Sequence, residues 1–175
     1  MDPTPTPQDV LRGVLEVSHR IASRLAWSSG RVAVFMPLSI ASLAGLKDEE
    51  VERLDAFLLR YASLTGAVQD QVTKALLRLE EEDLSDKTRK DQRLLLEKAG
   101  ALDPAMEFGN IAELRNRLAH VYPDDPEKQA AILNETYKRA LDLIQVFNDL
   151  VTYADVKFFA STLRLTNVTV PASRA

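Results

Sequence analysis

The segment DPEKQAAILNETYKRALDLIQVFNDLVTYA, residues 125–154, decides the fold class. Leu133, Tyr137, Ala140, Leu141, Ile144, Phe147, Val151 and Ala154 return at steps of three and four, which traces one face of a long helix. Asp125-Pro126-Glu127 supplies its start: a capping side chain, a proline at the first helical position and an acid at the positive end of the helix dipole.

Working upstream, the same grammar repeats. Asp103-Pro104 opens a fourth helix on which Ile111, Leu114, Leu118 and Val121 recur at helical spacing until Pro123 ends it. Ser85 is positioned to cap a third, carrying Leu94, Leu95 and Leu96 and closing at Gly100. Asp48, Glu49 and Glu50 start a second, whose stripe runs Val51, Leu54, Leu58, Tyr61, Leu64, Val68, Val72, Ala75, Leu76 and Leu79, with Gly66 as a place to bend. Thr6-Pro7 starts the first, with Val10, Val14, Val17, Ile21 and Leu25 as its expected core face and Ser28-Ser29-Gly30 as its end. On that register His19 falls on the surface; Trp27, near the end of the helix, is expected to cap the core, with a subunit contact as the alternative.

Two stretches break the pattern. In residues 31–46, Val32, Val34 and Met36 alternate, which fits a short strand or an extended apolar crossing. In the tail, residues 162–170 alternate polar with apolar and suggest a short strand or hairpin, while Phe158-Phe159 either dock on a partner or cover the core. The sum is an all-α, up-and-down antiparallel helical bundle of four to five main helices in one domain, residues 1–175.

Composition narrows the function. A hydrophobic content of 46% with 27% charged residues is that of a soluble globule. The chain has no cysteine, so thiolate chemistry and Cys-based zinc sites are excluded. Residues 1–7 are polar and lack the apolar region of a secretory signal, and the longest uncharged run, 32–46, is too short to span a bilayer, so a cytoplasmic protein without a membrane partner is expected. A net charge of −4 and a pI near 5.3 oppose a general polyanion-binding surface, so any RNA contact must be local. Glu80-Glu81-Glu82-Asp83 reads as a solvated turn, because four successive acids cannot face one ion on a helix. No phosphate-loop, dinucleotide, zinc-protease or nucleophile-elbow motif occurs, and neither a metal nor a cofactor is called for.

The chemistry concentrates in Arg115-Asn116-Arg117-Leu118-Ala119-His120-Val121-Tyr122. Leu114, Leu118 and Val121 take the core side, leaving Arg115, Asn116 and His120 along the seam. Asn116 and His120, four apart, share a face; Arg115 and His120, five apart, lie roughly 140° around an ideal axis. Converging on one ligand therefore requires a distorted last turn or a second copy of the helix. The set suits RNA cleavage through the 2′-hydroxyl: imidazole moves a proton near neutral pH, and guanidinium clamps the phosphate. One histidine cannot be acid and base in the same step, which favours two chains or help from Tyr122. A purely structural alternative also fits, since cations near a helix C-terminus complement its dipole.

RNRLAHVY closely resembles the signature of the HEPN superfamily, in particular the HepT-like toxins of HEPN/MNT toxin–antitoxin pairs: arginine, a polar residue, three residues, histidine, one residue, tyrosine. Arg115, Asn116, His120 and Tyr122 fill those places, and Asp55–Leu64 resembles the family's long second helix. The resemblance covers about residues 8–155, leaving 156–175 as a C-terminal extension. It implies a homodimer with a composite cleft and metal-independent endoribonuclease activity on tRNA or mRNA in a type VII-like system. It also implies a minimal nucleotidyltransferase antitoxin as partner, which in some pairs transfers AMP to the motif tyrosine, here Tyr122. In these terms His120 transfers protons, Arg115 clamps phosphate and Asn116 orients. Arg117, with Arg89, Lys90 and Arg93 on the third helix, supplies candidate RNA contacts. The competing expectation is a non-catalytic nucleotide- or partner-binding subunit of such a nucleotidyltransferase.

Overall fold

The structure, a computed structural model, describes residues 4–118 and 125–171. Among them every regular element is a helix. Helix α1 (Pro7–Val32) starts at a reciprocal cap, in which the Asp9 amide donates to the Thr6 hydroxyl at 3.2 Å and the Thr6 amide donates to the Asp9 carboxylate at 2.9 Å. Those Thr6 bonds hold the Asp9 carboxyl below its ordinary range.

The buried face of α1 includes Leu11, Leu15, Ala22, Leu25 and Val32; Leu25 is buried as expected, but before it the face lies one residue on from Val10, Val14, Val17 and Ile21. Val10 and Val17 are 41% and 42% exposed. Two apolar sets interleave on this helix, and the leucines remove more apolar surface from water. The shift brings His19 half into the protein, where its ring meets Phe147 at 6.3 Å and Nε2 donates to the Thr166 carbonyl at 2.8 Å. Trp27 is 47% exposed, so this residue does not cap the core. The helix continues through Ser28-Ser29-Gly30 because Ser28 and Ser29 are buried, with the Ser29 hydroxyl bonded back to the Leu25 carbonyl at 3.0 Å.

The strand or crossing expected over 31–46 is instead a turn after α1 followed by the short helix α2 (Ile40–Ala44), capped by Ser39. Asn134 satisfies the turn's backbone at Leu38, accepting from its amide at 2.7 Å and donating to its carbonyl at 2.8 Å. Then come α3 (Asp48–Gly66), a π-helical turn (Ala67–Val72) and α4 (Thr73–Leu79). The widened turn begins directly after Gly66, and the Thr73 hydroxyl donates five residues back to the Val68 carbonyl at 2.8 Å. Helix α5 (Arg89–Ala99) is capped by Thr88, not Ser85; Ser85 spends its hydroxyl on Asp83 at 2.8 Å. Gly100 closes α5 at φ 77°, a left-handed geometry that glycine adopts without steric cost.

Asp103-Pro104 opens only a single 3-10 turn (Pro104–Met106); Glu107, at φ 50°, interrupts it, and α6 (Phe108–Leu118) follows. Helix α7 (Pro126–Phe158) matches its expectation, capped by Asp125, except that Leu141 is 54% exposed. The tail contains no strand among its described residues. It lies extended along α1 and α7, with Phe159, Leu163 and Val168 buried in the core they cover.

One apolar cluster runs from Leu11 to Val168. Helix α1 packs against α3, α4 and α7, and α6 rests on α3 and α7. Among the described residues no helix is long and apolar enough to cross a membrane.

Candidate functional site

Arg115, Asn116 and Arg117 occupy the last turn of α6, which also ends the described part of the motif. His120, Val121 and Tyr122 lie outside the described residues, as does Pro123. The seam predicted from spacing is present up to that point. Leu114 is buried at 1% exposure, Leu118 and Arg115 are half-buried, and Asn116 and Arg117 are exposed.

Two attachments fix this turn and a third holds the start of α6. The buried phenol of Tyr61, on α3, donates to the Ile111 carbonyl at 3.0 Å. In a regular helix that carbonyl receives the amide four residues on, which is Arg115. Burial pushes the Tyr61 phenol far above its ordinary pKa, so it remains a proton donor at any physiological pH. Arg117 pairs with Glu135 of α7 at 3.1 Å, and Glu107, at the other end of α6, pairs at 2.9 Å with Arg139 of α7, which also meets Asp142 of its own helix at 3.0 Å. The two carboxylates hold the Arg139 guanidinium above its ordinary pKa.

The remaining candidate cations are not gathered around Arg115. Arg89 is paired with Asp70 at 2.8 Å, and Lys90, beside it at the start of α5, is exposed. Arg93 leans toward Glu97 at 3.7 Å and lays its guanidinium on Gly109, where a Cβ would stand 2.6 Å from Nη1. It therefore meets α6 at its first turn, about 9 Å along the axis from Arg115. Arg117 is committed to Glu135. Arg115, like Lys90, has neither a hydrogen bond nor an ion pair to any described residue, and of the two only Arg115 is half-buried.

Glu80, in the acidic run, is no metal ligand here. Its carboxylate receives Tyr153 at 2.5 Å and Lys157 at 2.6 Å. Among the described residues no cluster of three or more His, Cys, Asp or Glu side chains is arranged to hold an ion. Sequence reasoning missed Tyr61 as the anchor of the motif turn, since it reads simply as one more apolar member of the α3 stripe. It also missed the guanidinium-flanked indole of Trp27, described below. Comparison of the chain with protein-family models, with curated proteins and with solved structures finds no match.

Proposed function

We propose that this chain is a metal-independent endoribonuclease of HEPN type, the toxin of a HEPN/MNT pair, acting on tRNA or mRNA in the cytoplasm. Its helices would form an up-and-down antiparallel bundle that pairs as a homodimer. The observation that carries this reading is Arg115: a half-buried arginine without a carboxylate partner among the described residues, beside exposed Asn116, on the turn that leads into His120. A guanidinium in that condition is available as a bidentate phosphate clamp. Each protomer contributes one His120, so a two-fold pair supplies both the base that takes the 2′-hydroxyl proton and the acid that protonates the leaving 5′-oxygen. Tyr122 is the acceptor for AMP transfer from a nucleotidyltransferase antitoxin.

The acidic chain and the ion pairing of Arg89, Arg93 and Arg117 favour a second reading, a non-catalytic subunit that presents nucleotide to such a nucleotidyltransferase. Purified protein incubated with total RNA in the presence of a chelator separates the two. The nuclease reading expects cleavage, with His120→Ala lowering the rate about 10²–10⁴-fold. Nucleotide or partner binding with intact RNA would establish the second reading instead, and cleavage unchanged in His120→Ala would remove His120 from the chemistry.

A further inference from the structure

Between Glu16 and Asp48 the chain carries Arg20, Arg24, Arg31 and Lys47 and no acidic residue, although its overall charge is −4. On α1, Arg20, Arg24, Trp27 and Arg31 recur at offsets of four, seven and eleven residues. They therefore share roughly 60° of the helix surface and extend over about 16 Å. All four are exposed. Trp27 is the chain's one tryptophan, and a side chain of that size is ordinarily among the best-buried.

Its ring is flanked by guanidiniums from two helices. Arg31 of α1 lies 5.0 Å from the ring centroid and Arg60 of α3 lies 5.5 Å away. Arg60 is held in place by a hydrogen bond to the buried Ser28 hydroxyl. A depression of about 280 Å³ opens beside the indole, where Arg31, Arg53 and Arg60 face a single carboxylate, Glu52. Arg53 leans outward to Glu49 at 3.6 Å, while Arg20, Arg24, Arg31 and Arg60 have no ion pair with any described residue.

An indole that is 47% exposed, with guanidiniums that have no ion pair to any described residue over its ring and along its helix, offers two kinds of contact at once. The ring stacks a base of any identity, and the forks take phosphates on either side. An acidic peptide would use the cations and leave the indole idle. We infer that this face of α1 and α3 binds single-stranded nucleic acid, with one base stacked on Trp27 and the adjoining phosphates held by Arg31, Arg60, Arg24 and Arg20. The site is separate from the α6 turn and stands whether or not the chain is a nuclease.

Trp27 emission is a built-in reporter, because no other tryptophan contributes. Full-length His120→Ala protein, which cannot degrade the probe under the nuclease reading, is titrated with oligoadenylate and, separately, with AMP. The expected result is quenching by the oligomer at concentrations where AMP has no effect. Four phosphate contacts give a log–log salt slope of roughly −3. Trp27→Ala, followed by anisotropy of a labelled oligomer, weakens binding about tenfold or more. Arg20→Ala/Arg24→Ala, two exposed positions whose loss leaves the core untouched, flattens the salt slope by about 1.4. Quenching by AMP as strong as by the oligomer overturns the track. So does emission that shifts with protein concentration and ignores the oligomer, which would make this face a contact between copies of the chain. Cleavage assays on wild-type protein report on the α6 site alone, so the two readings fail separately.

Discussion

The last turn of α6 and the outer face of α1 both carry arginine, and they are built on opposite terms. On α6 the groups are engaged: Arg117 is paired across to α7, the first turn at Gly109 is covered by Arg93 of α5, and the backbone before Arg115 is pinned by a buried phenol. One guanidinium, Arg115, is left over. On α1, Arg20, Arg24 and Arg31 have no ion pair with any described residue along an exposed stripe around an indole, and Arg60 of α3 joins them, anchored on Ser28. The difference is that between a positioned group and a sticky surface. Catalysis depends on geometry held to within a fraction of an ångström, whereas polyanion affinity rises with the number of loosely held charges.

The sharpest break of that comparison is within α6 itself. Arg115→Ala should lower RNA cleavage about 10²–10³-fold, the usual cost of removing one preorganised stabiliser of transition-state charge. Arg117→Ala, two residues on, should leave turnover within a few-fold, because its partner is Glu135 and a half-exposed pair contributes at most about 1 kcal/mol. Single-turnover kinetics on one RNA substrate measure both. Equal losses would mean that the turn acts as a diffuse basic patch, like α1.

Next in size is a test of what the tail contributes. Asn148, buried on α7, accepts from the Val168 amide at 2.9 Å and donates to its carbonyl at 3.0 Å. Asn148→Ala leaves both backbone groups unpaired where they are buried and should cost about 2 kcal/mol in denaturant unfolding. Tyr61→Phe follows at about 1 kcal/mol, since the Ile111 carbonyl keeps its helical partner. Its more telling readout is cleavage: a fall larger than the stability loss explains would show that α3 positions the Arg115 turn.

How much of this was legible before the fold was known depends on what each residue's neighbours are. Local signals read well. Thr6-Pro7, Asp125-Pro126 and Gly100 mark helix ends through their own backbone chemistry, and the α7 stripe through its periodicity. Where two interpretations compete within one helix, spacing alone does not choose. In α1 the valine and leucine registers are both periodic, and the tertiary partners α3, α4 and α7 select the leucines. That one-residue choice moved His19 inward, whereas Trp27 points away from the core on either register. Ser85 and Thr88 both qualify as caps, but only Thr88 has an acid three residues on, Asp91, to complete the reciprocal bond. The motif string was visible as spelling. That Arg115 is unpaired while Arg117 is not depends on Glu135, eighteen residues away on another helix, and no local pattern encodes it.

The smallest effect contrasts a third charged cluster with both. Glu80, Tyr153 and Lys157 form a closed set in which every charge is satisfied, with Lys157 also 2.9 Å from the Tyr153 hydroxyl. Burial opposes ionisation of Glu80, but the bonds from Lys157 and Tyr153 outweigh it and hold the carboxyl below its ordinary 4.5. A depressed carboxyl stabilises the fold above its unfolded pKa, and that contribution fades as pH falls through the folded value. Lys157 is shifted upward by the same bonds, so its share is present at neutral pH and is lost only in strong alkali. Wild-type protein should therefore exceed Glu80→Gln in thermal midpoint at neutral pH, with the gap closing below about pH 4.5. Arg115→Ala should show no such closing gap, because its guanidinium has no carboxylate partner among the described residues to lose in acid. A pH-independent gap at Glu80 would mean that its side chain acts through packing, and the cluster would then be no more electrostatic than the core it borders.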